Sequence, residues 1–394
     1  MGIQDMYPLL KEHAPHALSK YHLFTFRGWR VAIDISIFLY KYVRSSGPER
    51  WLDQFVLLLC TLKKHGLRPI CIFDGDTQPI EKAGEQERRR CELQKATSRL
   101  KQCIEMRNTL QERYINIPLL NPDGTLFEEP EFTKELKAEC KILIGEERST
   151  EKKERTVTNY YNVSDVIASL SEIITRLDRQ TMPITKEYRD RGIELLKAMG
   201  ISYFIADGEA EGLCAYMSVN GLVDCVLTED SDVLPYGTPF MLAFKDLGVH
   251  QESVYCLSLD VILESLELNL NEFRDLCILL SCDYNSRIKG FPPDGKKYKK
   301  PVCIGLKHAY TMIKEYRTLE AASNFIEDIE PLKYQRCREL LSPPKNSIVA
   351  NNAKIETHKD IDTDALREII TKYKISISFE YITGFWKSTE IEFD

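Results

Sequence analysis

The stretch Ile205–Asp232, IADGEAEGLCAYMSVNGLVDCVLTEDSD, decides the fold. The apolar run Ile201 to Ala206 reads as a buried strand and stops at a turn followed at once by Glu209 and Glu211. A helix-like segment then leads through Asn220-Gly221 to a second apolar run, Asp224 to Leu227, which ends in Thr228-Glu229-Asp230-Ser231-Asp232. This pattern predicts a βαβ unit that brings a Glu-x-Glu and an Asp-x-Asp to one edge of a sheet. Open α/β sheets form their sites at that edge, outside the carboxyl ends of the strands. Four carboxylates crowded there repel one another unless a cation lies among them. Hard oxygen donors in this number suit Mg²⁺ or Mn²⁺.

Upstream, Trp29 to Ile35 is a buried-strand pattern with one acid, Asp34, inside it, and Arg68 to Phe73 is another that ends in Asp74-Gly75. Helical segments, Ser36 to Arg44 and Trp51 to His65, stand between them, which is parallel α/β grammar. An ionised carboxylate inside an apolar strand is costly unless it is paired or metal-bound, so Asp34 asks for a cation. Asp74-Gly75 alone reads as a turn, and Asp230 or Asp232 alone as a helix cap. Asp283 follows a strongly apolar helix, Glu272 to Leu280. Together these acids predict a metal site that activates a water against a phosphodiester. A haloacid-dehalogenase-type reading of Phe73-Asp74-Gly75-Asp76-Thr77 fails on Gln78 and leaves Glu209 and Glu211 without a role.

Composition is that of a soluble globular chain: 394 residues, 29% charged, 43% hydrophobic. No apolar run approaches the ~20 residues of a membrane span, and no signal peptide opens the sequence, so an intracellular protein without a membrane partner is expected. The 12 cysteines form no Cys-x-x-Cys and read as reduced thiols. The net charge of −7 argues against nucleic acid, but the sum hides local patches. Residues 80–114 carry nine basic side chains against six acidic, and residues 287–300 six against one.

Met1-Gly2-Ile3-Gln4, Val31-Ala32-Ile33-Asp34, Phe73-Asp74-Gly75, Glu209-Ala210-Glu211, Thr228 to Asp232 and Cys282-Asp283-Tyr284 resemble, in order and spacing, the flap endonuclease/XPG family of structure-specific 5′ nucleases. The resemblance implies a PIN-like α/β fold: a mostly parallel twisted sheet flanked by helices, with a helical arch insertion and a helix–two-turn–helix. It also implies two Mg²⁺ ions, for which Mn²⁺ can substitute. Asp74, Glu209 and Glu211 would hold the first with Asp34 beside it; Asp230 and Asp232 would hold the second, with Asp283 acting through water. Lys82 and Arg89 fall at the basic arch positions that steady the scissile phosphate. Tyr40 stands where an aromatic stacks on a base, and Gly2 would lie near the site.

The DNA-gripping helix–two-turn–helix would begin at Arg287-Ile288-Lys289-Gly290 and resume at Gly305 and Lys307. A basic insert holding Lys296 and Lys297 interrupts it. Expected boundaries are 1–105 for the first nuclease region and 106–180 for the insertion. The second nuclease region would span 181–317 and a helical C-terminal region 318–394. The implied partner is branched or flapped DNA, cut by a monomer in the nucleus or wherever DNA is replicated or repaired. The C-terminal sequence lacks a sliding-clamp motif. A 5′→3′ exonuclease, a junction resolvase and an inactive DNA-binding scaffold are the alternatives.

Overall fold

The structure, a computed structural model, describes residues 2–77, 79–115, 132–145, 163–244, 252–291, 300–343 and 360–387. The chain forms two compact units, 1–85 with 184–394, and 86–183. A seven-stranded sheet organises the larger unit. Its strands are β1 (Leu18–His22), β2 (Arg30–Asp34), β3 (Arg68–Phe73), β4 (Ser202–Ile205), β5 (Cys225–Leu227), β6 (Phe240–Ala243) and β7 (Ser253–Ser258), in the order β1-β7-β6-β5-β2-β3-β4. From β6 to β4 every pairing is parallel; β7 runs antiparallel to both β6 and β1. The sheet is thus mixed but mostly parallel.

As expected, the Glu-x-Glu strand β4 and the Asp-x-Asp strand β5 run parallel and are joined by a helix, with β3 and β2 lying between them in the sheet. These two strands are almost wholly buried and take the centre, where both faces are covered, while the half-buried β4 takes the edge. The carboxyl ends of the five parallel strands therefore share one edge, and β2, β3, β4 and β5 carry the acids to it.

Helices α1 (Met6–His13), α2 (Ile35–Ser46) and α3 (Trp51–Lys64) belong to this unit. In the other unit, Cys103 and Leu110 of α4 (Ala83–Tyr114), Cys140 of α5 (Lys134–Gly145) and Leu170 and Leu177 of α6 (Val163–Thr181) form a small separate core. The larger unit continues with α7 (Lys186–Ala198), α8 (Ala210–Val219), α9 (Leu259–Leu266) and α10 (Leu270–Leu280). Thr185 is the N-cap residue of α7 but makes no side-chain capping hydrogen bond. Asn269 and Glu272 close a full capping box on α10, so that helix starts earlier than its apolar run.

After α10 a short antiparallel pair, β8 (Lys289–Gly290) with β9 (Val302–Cys303), zips the flanks of the basic insert together and leads into α11 (Leu306–Tyr316). The C-terminal helices are α12 (Leu319–Ala322), α13 (Tyr334–Leu340), α14 (Thr363–Lys372) and α15 (Phe379–Lys387), with α14 packed on α7 and α15 on α3. Among the described residues no helix is long and apolar enough to cross a membrane.

Candidate active site

Except for Asp283, which follows α10, each acid of the site sits at a strand's carboxyl end or in the turn or first helical turn beyond it. Asp34 is the last residue of β2, and Asp74 follows β3. Gly75 makes the junction with β4 possible: its N–H donates to the Gly208 carbonyl at 2.7 Å, and a Cβ at this position would stand 2.2 Å from the Ala206 oxygen. That close backbone approach sets Asp74 beside the start of α8, whose first N–H, from Ala210, donates to Asp74 Oδ1 at 2.8 Å. Glu209 is the N-cap residue of α8 and Glu211 lies in its first turn. Ser36 Oγ accepts from the Asp74 N–H at 3.2 Å.

Beyond β5, Asp230 Oδ1 accepts from the Asp232 N–H at 3.1 Å and opens the short 3₁₀ turn that carries Asp232. Thr228 Oγ1 holds this turn twice, accepting from the Asp230 N–H at 3.1 Å and donating to Asp34 Oδ2 at 3.4 Å. Gly2 lies against it; at φ +90° a Cβ there would meet Asp230 Oδ1 at 2.2 Å, and the Ile3 N–H donates to Ser231 Oγ at 3.0 Å. Ser281, at φ +85°, turns the chain after α10 toward Asp283.

The acids form one electrostatic cluster. One carboxylate oxygen each from Glu211, Asp230 and Asp232 lies within 4.8 Å of the others. Asp34, Glu211, Asp230 and Asp232 are buried, Asp232 completely. Burial first, then the charges of Asp74 and Asp230, pushes the Asp34 carboxyl well above its ordinary value. Burial and then Asp230 do the same to Glu211, and burial with Asp230 and Asp283 to Asp232. Asp230 is raised by burial and by Asp283. Both oxygens of Asp232 and Oδ1 of Asp34 have no hydrogen-bond partner. Buried carboxylates left without donors are costly, and this oxygen-only donor set fits a hard divalent ion.

Lys82 departs from its expected place on a basic helix face. It is buried, with Nζ paired to Glu209, 3.3 Å from Glu211 Oε1 and 3.2 Å from Asp283 Oδ2. Burial works against its charge, but Glu211, Glu209 and Asp283 outweigh that and raise its pKa. Two tyrosines complete the wall. Tyr284 OH donates to Glu209 Oε2 at 2.8 Å, and Tyr236 OH lies 3.3 Å from Tyr284 OH. Of the supporting residues, Tyr284 stood inside the Cys282-Asp283-Tyr284 motif and Thr228 inside the Thr228 to Asp232 motif, while nothing in the sequence gave Tyr236 or Ser36 a role at the site. Asp76, the second acid of the dehalogenase-like reading, points away into solvent and pairs with Arg189 at 3.0 Å.

The remaining expected residues divide. Tyr40 is exposed on α2 with the Arg44 guanidinium 5.7 Å from its ring centre, so it is not core. Arg89 is exposed on α4, in the second unit. Arg287 pairs with Asp5, Lys289 is exposed on β8, and Gly290 is buried where β8 meets Ile326. Gly305 precedes α11, whose first turn carries an exposed Lys307. Lys296 and Lys297 lie outside the described residues.

Comparison with known proteins gives a consistent outcome. Residues 1–96 match the XPG N-terminal domain and residues 200–283 the XPG I-region. Flap endonuclease 1 of Komagataella phaffii is 27% identical, over 94% of this chain and 85% of that protein. The same enzyme of Drosophila mojavensis is 29% identical, over 88% and 74%. Among solved structures, the catalytic core of Rad2 in complex with a DNA substrate superposes with a TM-score of 0.57 at 17% identity, covering 98% of this chain and 99% of that one; this likeness is one of fold.

Proposed function

The chain belongs to the XPG family, and from that premise we propose that it is a Mg²⁺-dependent nuclease that hydrolyses DNA phosphodiesters where a 5′ flap leaves its duplex. The observation that carries the reading is the buried cluster itself: acids from four strand ends, with both oxygens of Asp232 and Oδ1 of Asp34 unpartnered. Asp74, Glu209 and Glu211, with Asp34, would hold one Mg²⁺, and Asp230 and Asp232, with Asp283, a second. Bound there, such ions lower the pKa of a water and stabilise the attacking and leaving oxygens of the phosphodiester.

The chain's own residues prepare that chemistry. Ala210 N–H and Ser36 fix Asp74, Tyr284 fixes Glu209, and Thr228 fixes Asp34 relative to Asp230. Lys82 neutralises Glu209, Glu211 and Asp283; with those acids holding metal, its ammonium would be free to meet the scissile phosphate. Arg89 would serve the same phosphate from α4, and Tyr40 would stack on the base beside the cut. Arg287, Lys289, Lys296, Lys297 and Lys307 would bind duplex phosphates, with an affinity that falls steeply with salt. The role would be in DNA replication or repair, carried out by a monomer.

Cleavage of labelled flap, nicked, bubble and four-way substrates, with Mg²⁺ and with EDTA, tests this reading. The flap should be cut fastest and only with metal. Equal rates on all four substrates would remove structure specificity, and cleavage in EDTA would remove the metal.

A further inference from the structure

A second constellation of ligand-type side chains lies away from the carboxylate cluster. His22 ends β1, His65 follows α3 just before β3, and Glu252 precedes β7. One donor atom from each lies within 4.8 Å of the other two. His22 Nε2 is 3.2 Å from Glu252 Oε2, and the two imidazole rings meet edge to face with centroids 4.9 Å apart. Strand β3, six residues long, separates His65 from Asp74 by roughly 20 Å of extended chain.

The decisive observation is His65. Its side chain is only 7% exposed, and its Nε2 has no hydrogen-bond partner. The nearest acceptor, Glu252 Oε1, is 3.7 Å away, beyond hydrogen-bond reach. A buried ring nitrogen aimed at a carboxylate and a second imidazole, yet bonded to neither, is costly to leave unmet. We propose that His22, His65 and Glu252 form a Zn²⁺ site, with water in the fourth position.

Donor type separates this site from the catalytic one. Two imidazoles and a carboxylate suit Zn²⁺, while seven carboxylates suit Mg²⁺. Zinc bonds of ~2.0–2.2 Å place tetrahedral ligands closer together than the present spacing, a distance that side-chain rotation covers. Burial, the largest influence on His65, favours its neutral, ligating form, and Lys64 followed by His22 holds the Glu252 carboxyl down at about 2. Binding has two local consequences. Lys64 gives up its ion pair with Glu252, and if His22 binds through Nε2, its Nδ1 takes the proton and no longer accepts from the Phe24 N–H. In exchange, the ion ties the ends of β1 and α3 to the start of β7. Its role would be structural, a staple on the edge of the sheet.

The test uses the full chain, stripped with EDTA and returned to excess Mg²⁺ so that the carboxylate cluster is filled. Co²⁺ is then titrated as a spectroscopic probe and displaced with Zn²⁺. One equivalent with tetrahedral visible bands, displaced by one equivalent of Zn²⁺, is expected. Zinc at about 100-fold above its dissociation constant should raise Tm by roughly 3–6 °C. Both signals should vanish in His65→Ala and in His22→Gln, whose half-exposed ring can be replaced without opening the core, and both should persist in Asp232→Asn. Absence of tetrahedral bands in the parent chain would overturn the proposal. So would bands that survive His22→Gln in a folded protein, or bands lost only in Asp232→Asn.

Discussion

The two ends of β3 show what burial does to ionisable groups of opposite kind. Beyond its carboxyl end, Asp74 stands beside Asp34, Glu211 and Asp232, whose carboxyls burial and then mutual repulsion push up. Before its amino end, His65 is one buried imidazole with an unmet nitrogen and a single nearby carboxylate. The first end stores repulsion that only cations relieve, and the chain supplies one, Lys82, from within. The second stores an unmet lone pair. The difference teaches that a crowded anionic site controls chemistry, whereas a small mixed site bears on stability.

The sharpest way to break that contrast is to neutralise one acid. Asp232→Asn should lower flap cleavage by about 10³-fold or more, since metal stabilisation of the transition state is worth several kcal/mol. In EDTA the same change should raise thermal stability, because it removes a buried charge that has no partner. His65→Ala should leave the Mg²⁺-dependent rate nearly unchanged. Wild-type rates in Asp232→Asn, measured in single-turnover assays, would refute the proposed metal site.

Lys82→Met comes next. Loss of the charge proposed to meet the scissile phosphate should cost about 10²–10³-fold in rate. Without metal it should also destabilise the fold by about 3–5 kcal/mol, the usual cost of removing one partner from a buried ionic set. With saturating Mg²⁺ the stability loss should shrink, because the ions take over neutralisation. Urea titrations with and without Mg²⁺ read this directly, and an equal loss in both conditions would show that Lys82 is purely structural.

How far the sequence could be read follows from the same physics. Asp34 announces itself because an ionised acid inside an apolar strand is costly unless a cation meets it, whereas Asp74 alone reads as a turn and gains its meaning only beside the other acids. Strands β2, β3 and β5 are continuous apolar runs, so their place in the sheet was readable, although their neighbours were not. Strand β1, Leu-Ser-Lys-Tyr-His, has no apolar alternation; it is held by its backbone ladder to β7 and leaves side chains exposed. Lys82 looked like one basic residue among many on a charged helix, and its burial depends on Glu209, Glu211 and Asp283, all far along the chain. The His22, His65 and Glu252 trio shares no spacing at all, since each comes from a different element.

A pH series tests the stored repulsion itself. The carboxyls of Asp34, Glu211, Asp230 and Asp232 lie above ordinary values of 3.8 and 4.5 in the folded chain. Between the ordinary and the raised values the folded state binds more protons than the unfolded one, so stability falls as pH rises through that window. Acids shifted the other way, such as Asp224 beside Arg30 and Glu194 beside Lys372, lose their contribution only as pH falls below the same ordinary values. In EDTA, Tm should therefore decline as pH rises above those ordinary values, each acid contributing ~1.4 kcal/mol per unit of its shift. Saturating Mg²⁺ should flatten the curve. A metal-free Tm that climbs across this range would mean the acids ionise without cost.

The smallest effect concerns positioning. Tyr284→Phe removes only the hydroxyl that donates to Glu209 Oε2, and with it the partner of the Tyr236 hydroxyl. Loss of a group that orients a metal ligand should cost about 10–100-fold in metal affinity or rate. The stability loss should be near 1 kcal/mol, roughly the net worth of one hydrogen bond. Because Glu209 stays in place, the defect should appear as a higher Mg²⁺ requirement that excess metal largely repairs, whereas Asp232→Asn should not be repaired at any Mg²⁺ concentration. If Tyr284→Phe resists rescue in the same way, Tyr284 shapes the pocket rather than orienting Glu209, and the boundary between holding a ligand and being one moves with it.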